Sequence, residues 1–152
     1  MLLLLLGIVQ FTFIYNAQVG LTNAIRDSAR YGSTLITIDS TSAQETADDT
    51  YANLTSRLGS YVSPYDAANL VLPPASQACV SQHLDGAGAS PAFVRVTATY
   101  DHPLFVPIVG AIIDALDGSS SPGAYRISVT TELRIDNPDA STVTIPSTVC
   151  NP

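Results

Sequence analysis

The sequence is poor in charge and contains no lysine. Only 12% of its 152 residues are charged, the formal net charge is −7, and the basic residues are six arginines, at Arg26, Arg30, Arg57, Arg95, Arg126 and Arg134. Proteins that bind nucleic acid neutralise its phosphates with clustered lysine and arginine. An acidic chain with scattered arginines carries no such footprint, so we expect no nucleic-acid partner.

Residue patterns that support catalysis are also scarce. The two histidines, His83 and His102, lie in segments that read as loops, and both are predicted to be solvated. Nucleophile-elbow, zinc-protease, P-loop and dinucleotide fingerprints are missing. The run Asp136–Asp139 offers oxygen ligands but lacks the glycine and distal glutamate of a calcium loop, so a turn is predicted. We therefore expect no catalytic, cofactor or metal site.

The first 25 residues contain no Asp, Glu, Lys, Arg or His. A helix needs about 20 apolar residues to span a membrane, and one reaching Tyr31 would extend roughly 46 Å, more than a bilayer core. Gly32 is predicted to end it. Because polar residues such as Gln10 and Asn16 interrupt its later part, we expect a helix that sits in a membrane at one stage and packs against other helices at another.

Three other interpretations of this segment compete. A cleaved signal peptide would need a basic start and a small-residue cleavage site, and neither is found here. A plain single-pass anchor is the second. A buried core helix of a soluble domain is the third, and the six consecutive apolar residues from Met1 count against it.

Three groups of residues in this helix are predicted to serve packing or assembly. Gly20, Ala24 and Ser28 recur every four residues, a small-residue stripe that lets another helix approach closely. Arg26, Asp27 and Arg30 are expected where the helix leaves its apolar surroundings, paired within or between subunits because buried unpaired charge is costly. The apolar packing positions are Leu2, Leu3, Leu4, Leu5, Leu6, Gly7, Ile8, Phe11 and Ile14.

Two motifs in this helix resemble a known family. Gly7-Ile8-Val9-Gln10-Phe11 and the run Ala24–Tyr31, AIRDSARY, are similar to the N-terminal segment of TadE-like pilins and pseudopilins of the tight-adherence branch of type IV pili. Gln10 stands where glutamate is common. A second block, VRVTATYDHPLFVPIVGAIIDAL and then SVTTELRID, also resembles the family, so that the likeness extends over about half of the chain.

The resemblance implies a pilin-like structural subunit. Its partners would be other copies of itself in a helical filament, the inner membrane before assembly, the prepilin peptidase and the pilus assembly machinery. The subunit would lie outside the cell after assembly. The peptidase site is not found upstream of Leu2, so we expect a processed or trimmed chain from which a basic leader has been removed. The alternatives are a minor pseudopilin and a single-pass, membrane-anchored extracytoplasmic binding domain.

Residues 33–152 are predicted to form an extracellular α+β head joined to the helix at residues 1–32. A helix is expected from Thr41 to Leu58, with Gly59 as its end, followed by a short helical turn at 63–69. Strands are predicted at 69–72, 92–100, 125–135 and 141–145, with a loop at 76–91 and a second helix at 107–116. Ser33–Asp39 reads as a linker or an edge strand.

Two covalent features are expected in the head. Cys79 and Cys150 are too far apart for a CxxC motif, and in an exported domain they predict one disulfide, with two free thiols as the alternative. That bond would close a loop of about 70 residues and stabilise the fold by about 4 kcal/mol. Asn53-Leu54-Thr55 is a possible N-glycosylation site.

Overall fold

The computed structural model of the chain describes residues 1–35, 40–62, 67–71, 75–82, 91–105, 123–135, 145 and 148–152. Within these ranges two helices are followed by strands of one antiparallel sheet, so the predicted α+β class is confirmed. The helices are α1 (Leu2–Ser33) and α2 (Ser40–Tyr61), with a 3-10 turn at Ala67–Asn69, and the strands are β1 (Leu70–Val71), β2 (Gln77–Gln82), β3 (Ala92–Pro103), β4 (Ala124–Arg134) and β5 (Val149–Cys150).

Strand β3 is the centre of the sheet. Strand β4 pairs with β3 along its whole length, from Phe93↔Arg134 to Pro103↔Ala124. On the opposite edge, β2 pairs with the first half of β3 and β1 with Thr99 and Tyr100. Strand β5 adds to the outer edge of β2. All pairings among the described strands are antiparallel. Along β3, buried Val94, Val96 and Ala98 alternate with more exposed neighbours, as successive side chains of a strand point to opposite faces.

Both helices cover one face of this sheet. Helix α1 lies over β3 and β4, whereas α2 lies beside it over β2 and β5. The two helices run antiparallel, because Gly20 faces the Tyr61 end of α2 and Gly32 faces Thr50. Their contact surface and the inner face of the sheet form one apolar core that includes Leu21, Ile25, Leu54, Leu58, Val80, Val94 and Tyr100.

Helix α1 has two different halves. Its buried residues begin at Gln10 and recur every three or four positions, at Ile14, Ala17, Gly20, Leu21, Ala24, Ile25, Ser28, Ala29 and Gly32. The second half is therefore a core helix of the head, whereas the first half projects from it. The amphipathic pattern explains this division, since only the second half alternates polar with apolar positions at helical spacing.

The predicted helix α2 is confirmed, but it runs past Gly59. Ala47, Leu54 and Leu58 are buried, as their spacing predicts. The helix continues to Tyr61, and the Val62 N–H donates to the Leu58 carbonyl at 2.9 Å. Packing of this last turn against Gly20 outweighs the weak helix propensity of glycine.

Two predictions about the strands are wrong. The segment predicted as a loop at 76–91 contains β2, whose residues Ala78 and Val80 are fully buried against the helices. The predicted end of the next strand at Tyr100 is also wrong, because β3 continues through His102 to Pro103. Proline is tolerated there because it occupies the last position, where its missing N–H removes no internal bond of the ladder.

The remaining predicted elements have mixed outcomes. The strand predicted at 69–72 is present as β1, and the one at 125–135 as β4, with Ile127 and Ile135 buried. Ser33 belongs to α1 rather than to a linker or strand. The predicted helix at 107–116 and the turn at Asp136–Asp139 lie outside the described residues, as does His83. So does the strand predicted at 141–145, except for Ile145.

Candidate assembly surface

The exposed surface of α1 is strongly apolar between Met1 and Val19. Leu2–Leu5, Ile8, Val9, Phe11, Phe13, Tyr15 and Val19 are all exposed, with Phe11 at 67% and Tyr15 at 69% of full exposure. By length and composition Leu2–Ser33 could cross a membrane, although signal sequences and core helices of soluble proteins share this length and composition. A water-soluble protein rarely leaves so large a continuous apolar patch uncovered.

One side of this half-helix forms a continuous stripe. Leu4, Ile8, Phe11 and Tyr15, here called the apolar stripe, follow helical spacing. Together with Gly7 and Thr12 they line a shallow groove of about 630 Å³. Among the described residues, nothing lies within 4 Å of a Cβ built on Gly7, which leaves open space in the groove. Ile14 was also predicted to be an apolar packing position between subunits, but it is buried against the head of its own chain.

The head reaches down α1 as far as Gln10. The Phe105 N–H donates to Gln10 Oε1 at 3.0 Å, and Gln10 is only 1% exposed. Beside this bond the rings of Phe13 and Phe105 meet edge to face, with centroids 6.1 Å apart. The polar residue that interrupts the apolar run is thus a docking point for the segment after β3. The polarity of Gln10 within an apolar run indicated a special role in the sequence, but no sequence pattern identified Phe105 as its partner.

The small-residue stripe packs within the chain. Gly20, Ala24 and Ser28 are buried against α2, and a Cβ at position 20 would overlap the backbone carbonyl of Tyr61. The Ser28 hydroxyl donates to the Ala24 carbonyl at 2.8 Å and, at 3.3 Å, to Oδ1 of Asn53. The expected helix contact therefore forms, but its partner is α2 of the same chain, so these residues are unavailable to another subunit in this conformation.

The predicted interface charges separate into two groups. Asp27 forms an ion pair with Arg57 of α2, with 3.2 Å between Oδ2 and Nε. Both side chains are well exposed, so this pair contributes little to stability. Arg26 and Arg30 are exposed and line two grooves, a smaller one with Asp27 and Tyr61 and a larger one with Arg134 of β4. No sequence pattern indicates that Arg134 joins them, because 104 positions separate it from Arg30.

The C-terminal residues are held to β2 by covalent and polar contacts. The Cys79–Cys150 disulfide is present, and the two cysteines stand opposite each other in the β2–β5 ladder. Next to it, Asn151 accepts from the Ala78 N–H at 2.6 Å through its side chain and donates its own N–H to the Ala78 carbonyl at 3.0 Å. The Gln44 side chain of α2 donates to the Cys150 carbonyl at 3.1 Å. Sequence reasoning did not find Asn151 or Gln44.

The glycosylation sequon lies on α2. Asn53 is half-buried and close to Ser28 of α1, so its amide is turned towards the helix contact rather than presented on a loop. A glycan there would have to displace this contact. Occupancy of Asn53 therefore stays a sequence prediction that the fold disfavours.

The prediction of a solvated His102 is wrong. This side chain is 0% exposed in β3, beside the rings of Tyr100 and Phe105. Among the described residues neither ring nitrogen has a hydrogen-bond partner. Burial lowers the pKa of His102, because the charged imidazolium loses its solvation. In the described part of the chain, no three His, Cys, Asp or Glu side chains are grouped so as to hold a metal ion.

Fold and surface together define an α+β head carried on a helix whose first half is apolar and exposed. The family model of TadE-like proteins matches residues 1–30, in agreement with the resemblance seen in the sequence. That match and the apolar helix fit a membrane-anchored protein related to the Tad pilus. The second block of resemblance lies outside the matched residues. No curated protein and no solved structure matches the chain.

Proposed function

We propose that the chain is a structural subunit of a Tad-like pilus, which polymerises through α1 into a filament used for surface attachment. The apolar stripe carries this proposal. It continues up one side of α1 to Tyr15, whereas the other side is covered by the head from Gln10 onwards. A helix with one apolar side along its length and a head on the other fits a core of side-by-side helices surrounded by heads.

A bilayer would cover the same surface less completely. From Gln10 upwards, lipid would reach only the exposed side of the helix. Packing against α1 of neighbouring copies would cover the stripe over its full length.

One observation also supports the alternative of a membrane-anchored minor pseudopilin or binding domain. Phe105 is exposed at the base of the head, beside Phe13. Phenylalanine is one of the residues that proteins lying on a membrane bury at the boundary between headgroups and acyl chains. We infer that Phe13 and Phe105 contact the inner membrane before assembly. A permanently anchored protein would make the same contact.

Electron microscopy of material sheared from cells, with mass spectrometry of its N-terminus, separates the two functions. Thin filaments composed mainly of this chain would support a pilin. Chain found only in the membrane fraction, with no filament, would favour the anchored alternative and contradict the proposal.

A matched pair of variants tests whether the stripe is responsible. Phe11→Asn places a polar amide in the stripe, whereas Tyr61→Asn makes a similar change at an exposed aromatic residue on α2. We expect Phe11→Asn to reduce the filament yield at least tenfold while the chain still accumulates in the membrane, and Tyr61→Asn to leave the yield near normal. Equal effects of both variants would count against assembly through the stripe.

A further inference from the structure

The groove between α1 and β4 concentrates positive charge in an otherwise acidic protein. Arg26, Arg30 and Arg134 line it, and we call these three residues the arginine groove; Ser33, Thr131 and Leu133 complete its walls, and its volume is about 600 Å³. All three arginines are exposed. Three guanidinium groups in one groove repel each other and form a site for carboxylate or phosphate oxygens.

The other three arginines have partners within the chain. Arg57 pairs with Asp27, Arg95 with Glu132 at 2.6 Å, and Arg126 with Asp101 through two bonds of 2.8 and 2.9 Å. Within the described ranges, no carboxylate lies at ion-pair distance from an arginine of the groove. Asp27 lines the adjoining groove with Arg26 and Arg30, but its ion pair is with Arg57. The charge of the arginine groove is therefore available to a partner.

The complementary surface is on α2. Glu45, Asp48 and Asp49, here called the acidic face, are exposed on the outer side of that helix. In the described part of the chain, no arginine pairs with them. A chain with a net charge of −7 repels its own copies unless their contact brings opposite charges together. The groove and the face supply such a contact between two copies.

We propose that the arginine groove of one copy binds the acidic face of α2 of the next copy, an interface that rests on the proposed pilin function. The two surfaces are different parts of the chain, so the contact is heterologous and extends into a filament instead of closing a dimer. Arg26 and Arg30 are four residues apart, as are Glu45 and Asp49. Equal spacing on two antiparallel helices allows Arg26 to meet Asp49 while Arg30 meets Glu45.

The fold also sets the displacement between the two copies. Within one chain Gly32 is level with Thr50, so the acidic face stands about seven residues above Arg26 and Arg30 along α1. At ~1.5 Å per residue, the copy that offers its acidic face must lie about 10 Å closer to the N-terminal end of α1. Contacting copies in the filament should therefore differ in height by about this amount.

A charge-swap experiment on the full chain in its host tests the contact. Arg26→Glu/Arg30→Glu and Glu45→Arg/Asp49→Arg each place like charges in the interface, and we expect each to reduce the filament yield at least tenfold. The two variants change the net charge in opposite directions, so a shared loss cannot come from net charge alone. The chain carrying all four substitutions restores opposite charges and should recover filaments. Formation of the Cys79–Cys150 disulfide, seen on a non-reducing gel, verifies that each head has folded.

The outcomes separate this contact from the function on which it rests. If both double variants form filaments at the wild-type yield, the contact is overturned and the pilin function stands. The same holds if the chain with all four substitutions folds but does not regain filaments. Loss of binding to phosphatidylglycerol vesicles in Arg26→Glu/Arg30→Glu, with normal filament yield, would assign the groove to lipid headgroups instead. No filaments from the wild-type chain would overturn both proposals. In wild-type filaments, a height difference far from 10 Å between contacting copies would also contradict the contact.

Discussion

Gly20 of α1 lies directly against the backbone carbonyl of Tyr61, the last residue of α2. No side chain fits between them, since even a Cβ would overlap that carbonyl oxygen. This close approach fixes the angle and height of the two helices at the lower end of the head. It also determines that the small-residue stripe of α1 serves the fold of the single chain.

Gly20→Ala should therefore destabilise the chain. Overpacking against a rigid backbone costs about 1–3 kcal/mol, which exceeds the gain of about 1 kcal/mol that alanine brings to a helix. Gly7→Ala is the matched control, because Gly7 is in the same helix and no described residue lies within 4 Å of a Cβ built on it. We expect Gly20→Ala to lower the free energy of unfolding in detergent and Gly7→Ala to keep or raise it. Equal stability of the two variants would contradict the close contact with Tyr61.

The bond between Gln10 and Phe105 predicts a local effect. Gln10→Leu removes the acceptor and leaves the Phe105 N–H without its bond, at a cost of about 1–3 kcal/mol. Gln10→Glu keeps an oxygen at the same place. Amide hydrogen exchange of Phe105, measured on the full chain in micelles, should accelerate strongly in Gln10→Leu and much less in Gln10→Glu. Unchanged protection in Gln10→Leu would show that the head does not dock at this residue.

The disulfide predicts a large response to reduction. Cys79 and Cys150 are 71 residues apart in sequence, and opening a loop of that length costs about 4 kcal/mol in the chain-entropy treatment. We expect a reductant to lower the free energy of unfolding by about this amount. The Cys79→Ser/Cys150→Ser variant should already have the lower stability and should not respond to the reductant. A response of that variant would mean that the reductant acts elsewhere.

The burial of His102 predicts sensitivity to acid. Because its pKa is lowered in the folded state, the unfolded chain binds the proton more readily. Stability should be unaffected by this group above the unfolded pKa of about 6.5 and should fall as the pH decreases below it.

His102→Gln isolates the effect of this group from that of the carboxylates. Glutamine is polar but does not titrate, so the variant should lose stability less steeply between pH 7 and pH 5 than the wild-type chain does. Urea unfolding at several pH values measures the difference between the two slopes. Parallel slopes would show that His102 is not buried in solution.

Much of the architecture could be predicted from local patterns. The uncharged run and the break at Gly32 predicted α1, and the spacing of Ala47, Leu54 and Leu58 predicted the buried face of α2. Alternating residues predicted β3 and β4. Strand β2 escaped prediction because its short sequence has no strong alternating pattern, and its pairing with β3 supplies the structure instead.

The sequence by itself determined that α1 is a long apolar helix, that the chain is acidic, and that two cysteines were available for one bond. These properties depend on composition and on the spacing of neighbouring residues. Only the tertiary structure decided that Gly20, Ala24 and Ser28 contact α2, that Gln10 receives Phe105, and that Arg134 joins Arg26 and Arg30. These contacts join residues far apart in the chain. Their partners are chosen by the packing of helices on the sheet, which no local pattern encodes.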